Sequence, residues 1–299
     1  MRSKKIMLCV ICMVILFIAV TVAQADKDYT SKYVGTLKYV PAGSFQLDDN
    51  PENISTVSEF RMSETEITRA QFVAVTGLSD PSDTKYSTGQ QDPVQRVNLY
   101  HALVFCNKLS TLEGLTPVYT INGNTDTARW GSVPLMIEDF NPSNDTALWD
   151  AVTADWSVNG YRLPTEMEWM WAAMGADKDN PGHINTKGYA KKFAGSNVNN
   201  SIGDSAWYFN NTSHPVGTKQ PNELGLYDMS GNVWEWCWDK YDEYPTGKQD
   251  NFKGAVSCIS HVLRGGSWRD LGSYASVAYR FVINPYIQFN NFGFRVVRR

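Results

Sequence analysis

Oxygen donors gather in one short stretch of this chain, Asp228-Met-Ser-Gly-Asn-Val-Trp-Glu235. Asp228, Asn232 and Glu235 surround a glycine there, a composition suited to a tight turn that brings hard ligands together. Hard cations such as Ca²⁺ take roughly six to eight oxygens, backbone carbonyls among them. The same residues also read as buried carboxylates satisfied by backbone amides, and the chemistry leaves both readings open. Glu166 and Glu168 form a second carboxylate pair. Thr165 and Glu168 make a capping box, and acids in a first turn are stabilised by the helix N-terminus, so the pair needs no catalytic explanation. The thiols are sparse: of five cysteines, Cys9 and Cys12 lie in an N-terminal apolar run, leaving Cys106, Cys237 and Cys258. Three thiols form at most one intrachain pair and no disulfide framework. His101, His183, His214 and His261 are scattered without metal-ligand spacing.

A different kind of chemistry is suggested by the C-terminal end. Between Arg264-Gly-Gly-Ser-Trp268 and Gly293-Phe-Arg295 lies a segment, residues 269–292, with no Lys, Glu, Trp or Met, although the rest of the chain uses all four. It is rich in Tyr, Phe, Ile, Val and Asn, and follows neither strand alternation nor a helical period. Tyr, Arg and Asn together are a paratope-like mixture of rigid anchors and adaptable hydrogen bonders. If exposed, its apolar residues form a patch of the kind that marks an interaction site. The alternative is that Phe281-Val-Ile283 and Tyr286-Ile287 are ordinary core. Consecutive apolar residues cannot all face inward from a strand, which favours loops that expose some of them.

The elements that must position these residues follow from local signals. Leu37–Pro41 and Gly43–Leu47 read as a pair of short strands around a turn, and Phe60–Ile67 as a further strand. Thr68 caps a helix from Arg69 to about Thr76, stopped by Gly77. A second helix spans about Leu99 to Leu112, with Leu99, Ala102, Leu103, Cys106, Leu109 and Leu112 on one face. That places Cys106 in the core. Residues 115–160 are polar and rich in turn pairs such as Asn122-Gly123 and Asn159-Gly160, which suits an insertion held by Trp130, Trp149 and Trp156. A third helix follows Thr165 and ends at Gly175.

The chain opens with Met1-Arg-Ser-Lys-Lys5, an apolar run from Ile6 to Val22, and Ala23-Gln-Ala25, the parts of a secretory signal peptide. Cleavage after Ala25 leaves Asp26 first, and residues 26–36 read as a polar tether. A retained membrane anchor is the alternative, although the run is short for a spanning helix of about 20 residues. A lipid anchor on Cys9 or Cys12 is a further route, weakly signalled because neither follows a small residue. The expectation is therefore an exported protein, secreted or held at the cell surface. A net charge of -4 without a basic stripe argues against nucleic acid as a partner.

Eight motifs occur in order: Val40-Pro-Ala-Gly-Ser-Phe45, Glu64-Thr-Glu-Ile-Thr-Arg-Ala-Gln-Phe72, Pro93-Val-Gln-Arg-Val-Asn-Leu-Tyr-His-Ala102, Cys106-Asn-Lys-Leu-Ser110, Tyr161-Arg-Leu-Pro-Thr-Glu-Met-Glu-Trp169, Gly225-Leu-Tyr-Asp-Met-Ser-Gly-Asn-Val-Trp-Glu-Trp236, Arg264-Gly-Gly-Ser-Trp268 and Gly293-Phe-Arg295. Together they resemble the formylglycine-generating, sulfatase-modifying family. The resemblance covers residues 37–299 as one domain and implies an α+β, C-type-lectin-like fold, loop-rich, with its terminal strands brought together. The enzymes of the family bind copper through two cysteines after Gly-Gly-Ser. Those positions fall on Asp270 and Ala275, and soft Cu(I) needs sulfur ligands, so the resemblance implies no copper and no enzyme of that kind. The alternative is a formylglycine-generating oxidoreductase with an unusual site. A branch of the family with an N-terminal iron-binding domain is also unlike this chain.

The segment instead resembles that of the variable proteins of diversity-generating retroelements. Its fixed points match at Gly265-Gly-Ser-Trp268, Ala278, Arg280, Pro285 and Gly293-Phe-Arg295. In that group, varied positions arise by replacing adenines in Asn codons, which never yields Lys, Glu, Gln, Trp or Met; Gln288 is then a fixed position. The varied, ligand-contacting set implied is Arg269, Asp270, Leu271, Tyr279, Phe281, Val282, Ile283, Asn284, Tyr286, Ile287, Phe289, Asn290 and Asn291. The resemblance also implies a structural calcium held by the side chains of Asp228 and Glu235 and the carbonyls of Gly231 and Val233. The function implied is a non-catalytic, monomeric binder of an unknown protein or cell-surface ligand.

Overall fold

The computed structural model describes residues 27–137, 140–197 and 199–299; the signal-peptide region, residues 1–25, lies outside them. The three longest helices carry a capping box each, which is why local sequence places them so well. In α1 (Arg69–Thr76) the cap is Thr68 with Gln71, in α2 (Leu99–Leu112) Asn98 with His101, and in α4 (Glu166–Ala173) Thr165 with Glu168. Each pair satisfies two N–H groups that a helix end leaves without partners. Two one-turn helices, α3 (Ala147–Asp150) and α5 (Ile202–Ser205), lie in the long connections.

One sheet has the order β1-β2-β5-β13, built from Tyr29–Ser31, Gly35–Val40, Phe60–Ser63 and Val297–Arg298. The N-terminal and C-terminal strands thus share a sheet. Tyr29 to Ser31 pair antiparallel with Leu37 to Gly35, so residues 26–36 are not a free tether: from Tyr29 on they belong to the domain. A second sheet has the order β3-β4-β9 (Gly43–Gln46, Ile54–Val57, Lys248–Asp250). The strands around Pro41 therefore do not pair with each other. Val40 faces Phe60 and Gly43 faces Val57, so β2 and β3 are consecutive pieces of one arm of a long bent hairpin. Pro41, which has no N–H to give a ladder, divides them. A short pair, β6 (Tyr119–Thr120) and β7 (Thr153–Ala154), closes the 115–160 insertion, and Trp130 and Trp149 are buried in it, edge to face at 5.7 Å.

The sheet that matters most for the C-terminal segment has the order β11-β10-β8-β12: Phe281–Ile283, His261–Arg264, Trp234–Lys240 and Phe292–Gly293. Phe281 to Ile283 are a strand, not a loop. They lie at the sheet edge and are half-buried on both faces, which is how consecutive apolar residues are accommodated. Two apolar cores flank this sheet. One gathers α2 with Trp236, Phe292 and Phe294, and the other gathers α4 with Phe45, Phe60 and Val262.

Candidate ligand-binding site

A hollow of about 410 Å³ opens where the C-terminal segment crosses the end of β8, lined by Trp234, Arg269, Asp270, Tyr274, Tyr279, Phe281, Phe289, Asn291 and Phe292. Its wall is a continuous set of aromatic contacts. Trp234 lies 5.3 Å from Phe281 and 5.9 Å from Tyr279; Tyr274 meets Tyr279 at 4.7 Å, and Phe292 meets Phe289 at 5.1 Å. Tilted and edge-to-face rings at such distances are favourable beyond the area they bury. On the floor, the Trp234 indole donates to Asp270 Oδ2 at 2.8 Å, Ser267 Oγ donates to the same oxygen, and Asn291 donates to Ser267 Oγ at 3.0 Å.

The segment is held mainly by its own carbonyls. The N–H groups of Phe209, Leu99, Arg96 and Trp234 donate to the carbonyls of Asp270, Pro285, Phe289 and Asn291 at 2.8, 3.0, 2.9 and 2.8 Å. Arg264 donates to Tyr279 O at 2.5 Å and Asn98 to Tyr286 O at 3.3 Å. Below it, Arg280 forms a two-pronged ion pair with Glu166 at 2.7 and 2.8 Å, and Arg264 approaches the same carboxylate at 3.2 Å. Glu166 is thus the anchor of the segment's fixed point Arg280.

Of the residues expected to face a ligand, Arg269, Asp270, Tyr279, Phe281, Phe289 and Asn291 line the hollow. Leu271 is exposed at 57%, while Val282, Ile283, Asn284, Tyr286 and Asn290 are half-buried outside the lining. One expectation is corrected: Ile287 is 3% exposed and belongs to the α2 core, whereas Asn291, 8% exposed, lines the hollow and braces its floor through Ser267. Conversely, Trp234, Tyr274 and Phe292 line the hollow without having been singled out. The Trp-Glu-Trp motif was the one available signal for Trp234.

The Asp228–Glu235 turn is shaped by backbone needs. Asp228 and Asn232 adopt φ of 55° and 58°, and a Cβ at Gly231 would meet Trp207 O at 2.2 Å. Glu235 accepts from Arg295 Nε and Nη2, each at 2.7 Å, and from the Trp169 indole at 2.7 Å. Glu66, also buried, accepts from Asn232 Nδ2 at 2.7 Å and the Val233 N–H at 3.0 Å. Burial, with Asp228 and Glu235 nearby, pushes the Glu66 carboxyl well above its usual range. Both oxygens of Glu235 are therefore engaged, while the buried Asp228 Oδ1 has no hydrogen-bond partner among the described residues. The expected ligands Asp228, Gly231, Val233 and Glu235 thus share one turn in which three buried carboxylates, Glu66 included, gather around the single Arg295 guanidinium.

At the two positions where the resemblance would place copper-binding thiols, Asp270 forms the floor bonds above and Ala275 is buried. The three thiols of the described residues are unpaired, and burial pushes those of Cys106 and Cys237 up.

Fold and site together define an α+β domain in which short strands and long connections carry an aromatic hollow on a C-terminal segment. Residues 23–299 match the sulfatase-modifying factor enzyme 1-like domain, and the chain belongs to that family. The structure is similar to Treponema denticola variable protein 1, with 34% identity, a TM-score of 0.74, and coverage of 91% of this chain and 98% of that one. The chaperone protein LppX of Paenibacillus barcinonensis is 33% identical over 254 residues, 81% of this chain and 82% of that protein. The formylglycine-generating enzyme of Mycobacterium tuberculosis is 28% identical over 271 residues, 76% of this chain and 85% of that one. The C-type-lectin-like fold of the formylglycine-generating type, implied by the motifs, is the fold found. A variable protein, a chaperone and an enzyme share it, so the activity has to be argued from the site.

Proposed function

We propose that this chain is an exported, non-catalytic binding protein whose C-terminal segment forms a diversifiable ligand site. One observation carries the reading: the scaffold grips the segment by its carbonyls. A carbonyl accepts the same hydrogen bond whatever side chain its residue bears, so this part of the grip does not depend on the side-chain types at Tyr279, Tyr286 and Phe289. Asp270 and Ala275, where sulfur ligands would be required for copper, support a binding role over oxidation. The partner is a protein or cell-surface ligand, met by a monomer.

The reading is tested by sequencing the 3′ end of the gene across independent isolates. Differences should concentrate at the half-buried and exposed positions between 269 and 290 and avoid Ala278, Arg280 and Pro285. A segment as invariant as its surroundings would sink the diversification claim. In parallel, aldehyde formed on a sulfatase-motif peptide incubated with the protein and copper would overturn the non-catalytic assignment.

A further inference from the structure

Two exposed phenylalanines outside the C-terminal segment each touch a residue that lines the hollow. Phe140 packs edge-on against Phe289 at 6.1 Å and is 60% exposed; Phe209, whose N–H donates to Asp270 O at 2.8 Å, is 74% exposed. Both hold left-handed backbone, with φ of 59° and 45°, a conformation that bulky residues rarely adopt. Strain of this kind collects at ligand clamps. In a chain of net charge -4, three exposed cations lie on or next to residues of the segment and its flank. Arg269 is exposed and lines the hollow; Arg96, also exposed, donates its N–H to Phe289 O; Lys85 lies over the Tyr86 ring, which stacks on Trp268. None of the three cations has a carboxylate partner among the described residues. Asp270, the acid of the lining, is turned onto Trp234 and Ser267.

Resting on the binding-site reading, we propose that the partner is a protein loop with an aromatic or apolar tip flanked by Asp or Glu. Phe140, Phe209, Arg96 and Lys85 form a constant part of the contact, around which the segment supplies the variable part. The hollow takes the tip, and the three cations meet the flanking carboxylates. A polyanionic polysaccharide would ask for a continuous basic stripe and would leave the aromatic wall unused.

The test pans a random disulfide-cyclised peptide library on phage against the full mature chain. Recovered peptides should pair an aromatic or leucine with Asp or Glu. A synthetic representative should lose affinity about ten-fold or more on Phe209→Asn, Phe140→Asn or Arg96→Glu, and weaken as salt rises. Asn tolerates left-handed backbone, so these phenylalanine variants should keep their melting temperature, separating lost contact from lost fold. Peptides sensitive to Tyr279→Ala and Phe281→Ala but indifferent to Phe140, Phe209 and Arg96 would overturn the constant flank and leave the binding site standing. Peptides indifferent to both sets would overturn the site itself. Neutral or basic peptides, no binders, or heparin as the bound species would overturn the acidic-loop partner.

Discussion

Asp228 is a carboxylate whose surroundings oppose its charge. Burial pushes its carboxyl up to about 6, outweighing the Gly217 N–H and the Arg295 guanidinium, which favour the ion. Folding therefore tightens its hold on the proton. Stability from this group is fully present below the unfolded value near 4 and is lost as pH rises through about 6. The change from the ordinary value is worth roughly 3 kcal/mol at most. Asp228→Asn keeps an oxygen for the Gly217 N–H at 2.7 Å and tolerates the left-handed backbone. The variant should gain about 1–3 kcal/mol on wild type between pH 4 and pH 7. Thermal unfolding across that range measures it, and a stability difference that does not change with pH would show that Arg295 already compensates the charge.

The same reasoning applies to α4, whose first turn holds the C-terminal segment through Glu166. Glu166→Gln would leave Arg264, which is fully buried, and Arg280 without their carboxylate. Breaking one partner of a buried ion cluster costs about 3–5 kcal/mol. Urea unfolding should show a loss of that size, and a loss under about 1 kcal/mol would mean that solvent or Asp239 takes over. The helices were legible because their signals are local: Thr68, Asn98 and Thr165 are each read with a residue three positions on. Glu166 itself was read only as a first-turn acid, since its partners Arg264 and Arg280 lie about a hundred positions away. Strand pairing failed for the same reason. Val40-Pro-Ala-Gly43 has the composition of a hairpin turn, yet the true turn is Leu47–Asn53, where the Leu47 N–H donates to Asn53 O at 2.9 Å. The hollow was half legible. Composition marked the segment, but Trp234 and Phe292 join it through the pairing of β8 with β12, which no local pattern announces.

Across the whole molecule, the information that specifies the fold is kept apart from the residues that face the hollow. Both ends of the segment are seated in sheets, at β10 and at β12 and β13, and its middle is fixed by the Arg280–Glu166 ion pair and by donors to its carbonyls, which do not read the side chains at the other positions. Tolerance should therefore follow burial, not position in the sequence. Replacing Arg269, Leu271, Val282, Asn284 and Asn290 together with serine removes only exposed or half-buried groups; such changes usually cost within about 0.5 kcal/mol each. Ile287→Ser, by contrast, opens a cavity and buries a hydroxyl in the α2 core, at about 2–5 kcal/mol. Phe289 stands between these limits, because it packs on Phe292 as well as on exposed Phe140; Tyr286→Ala with Phe289→Ala should therefore lower the melting temperature measurably. Denaturant unfolding of the three variants ranks them. If the five-serine variant unfolds first, the segment is part of the folding core, and the separation of scaffold from binding face does not hold for this chain.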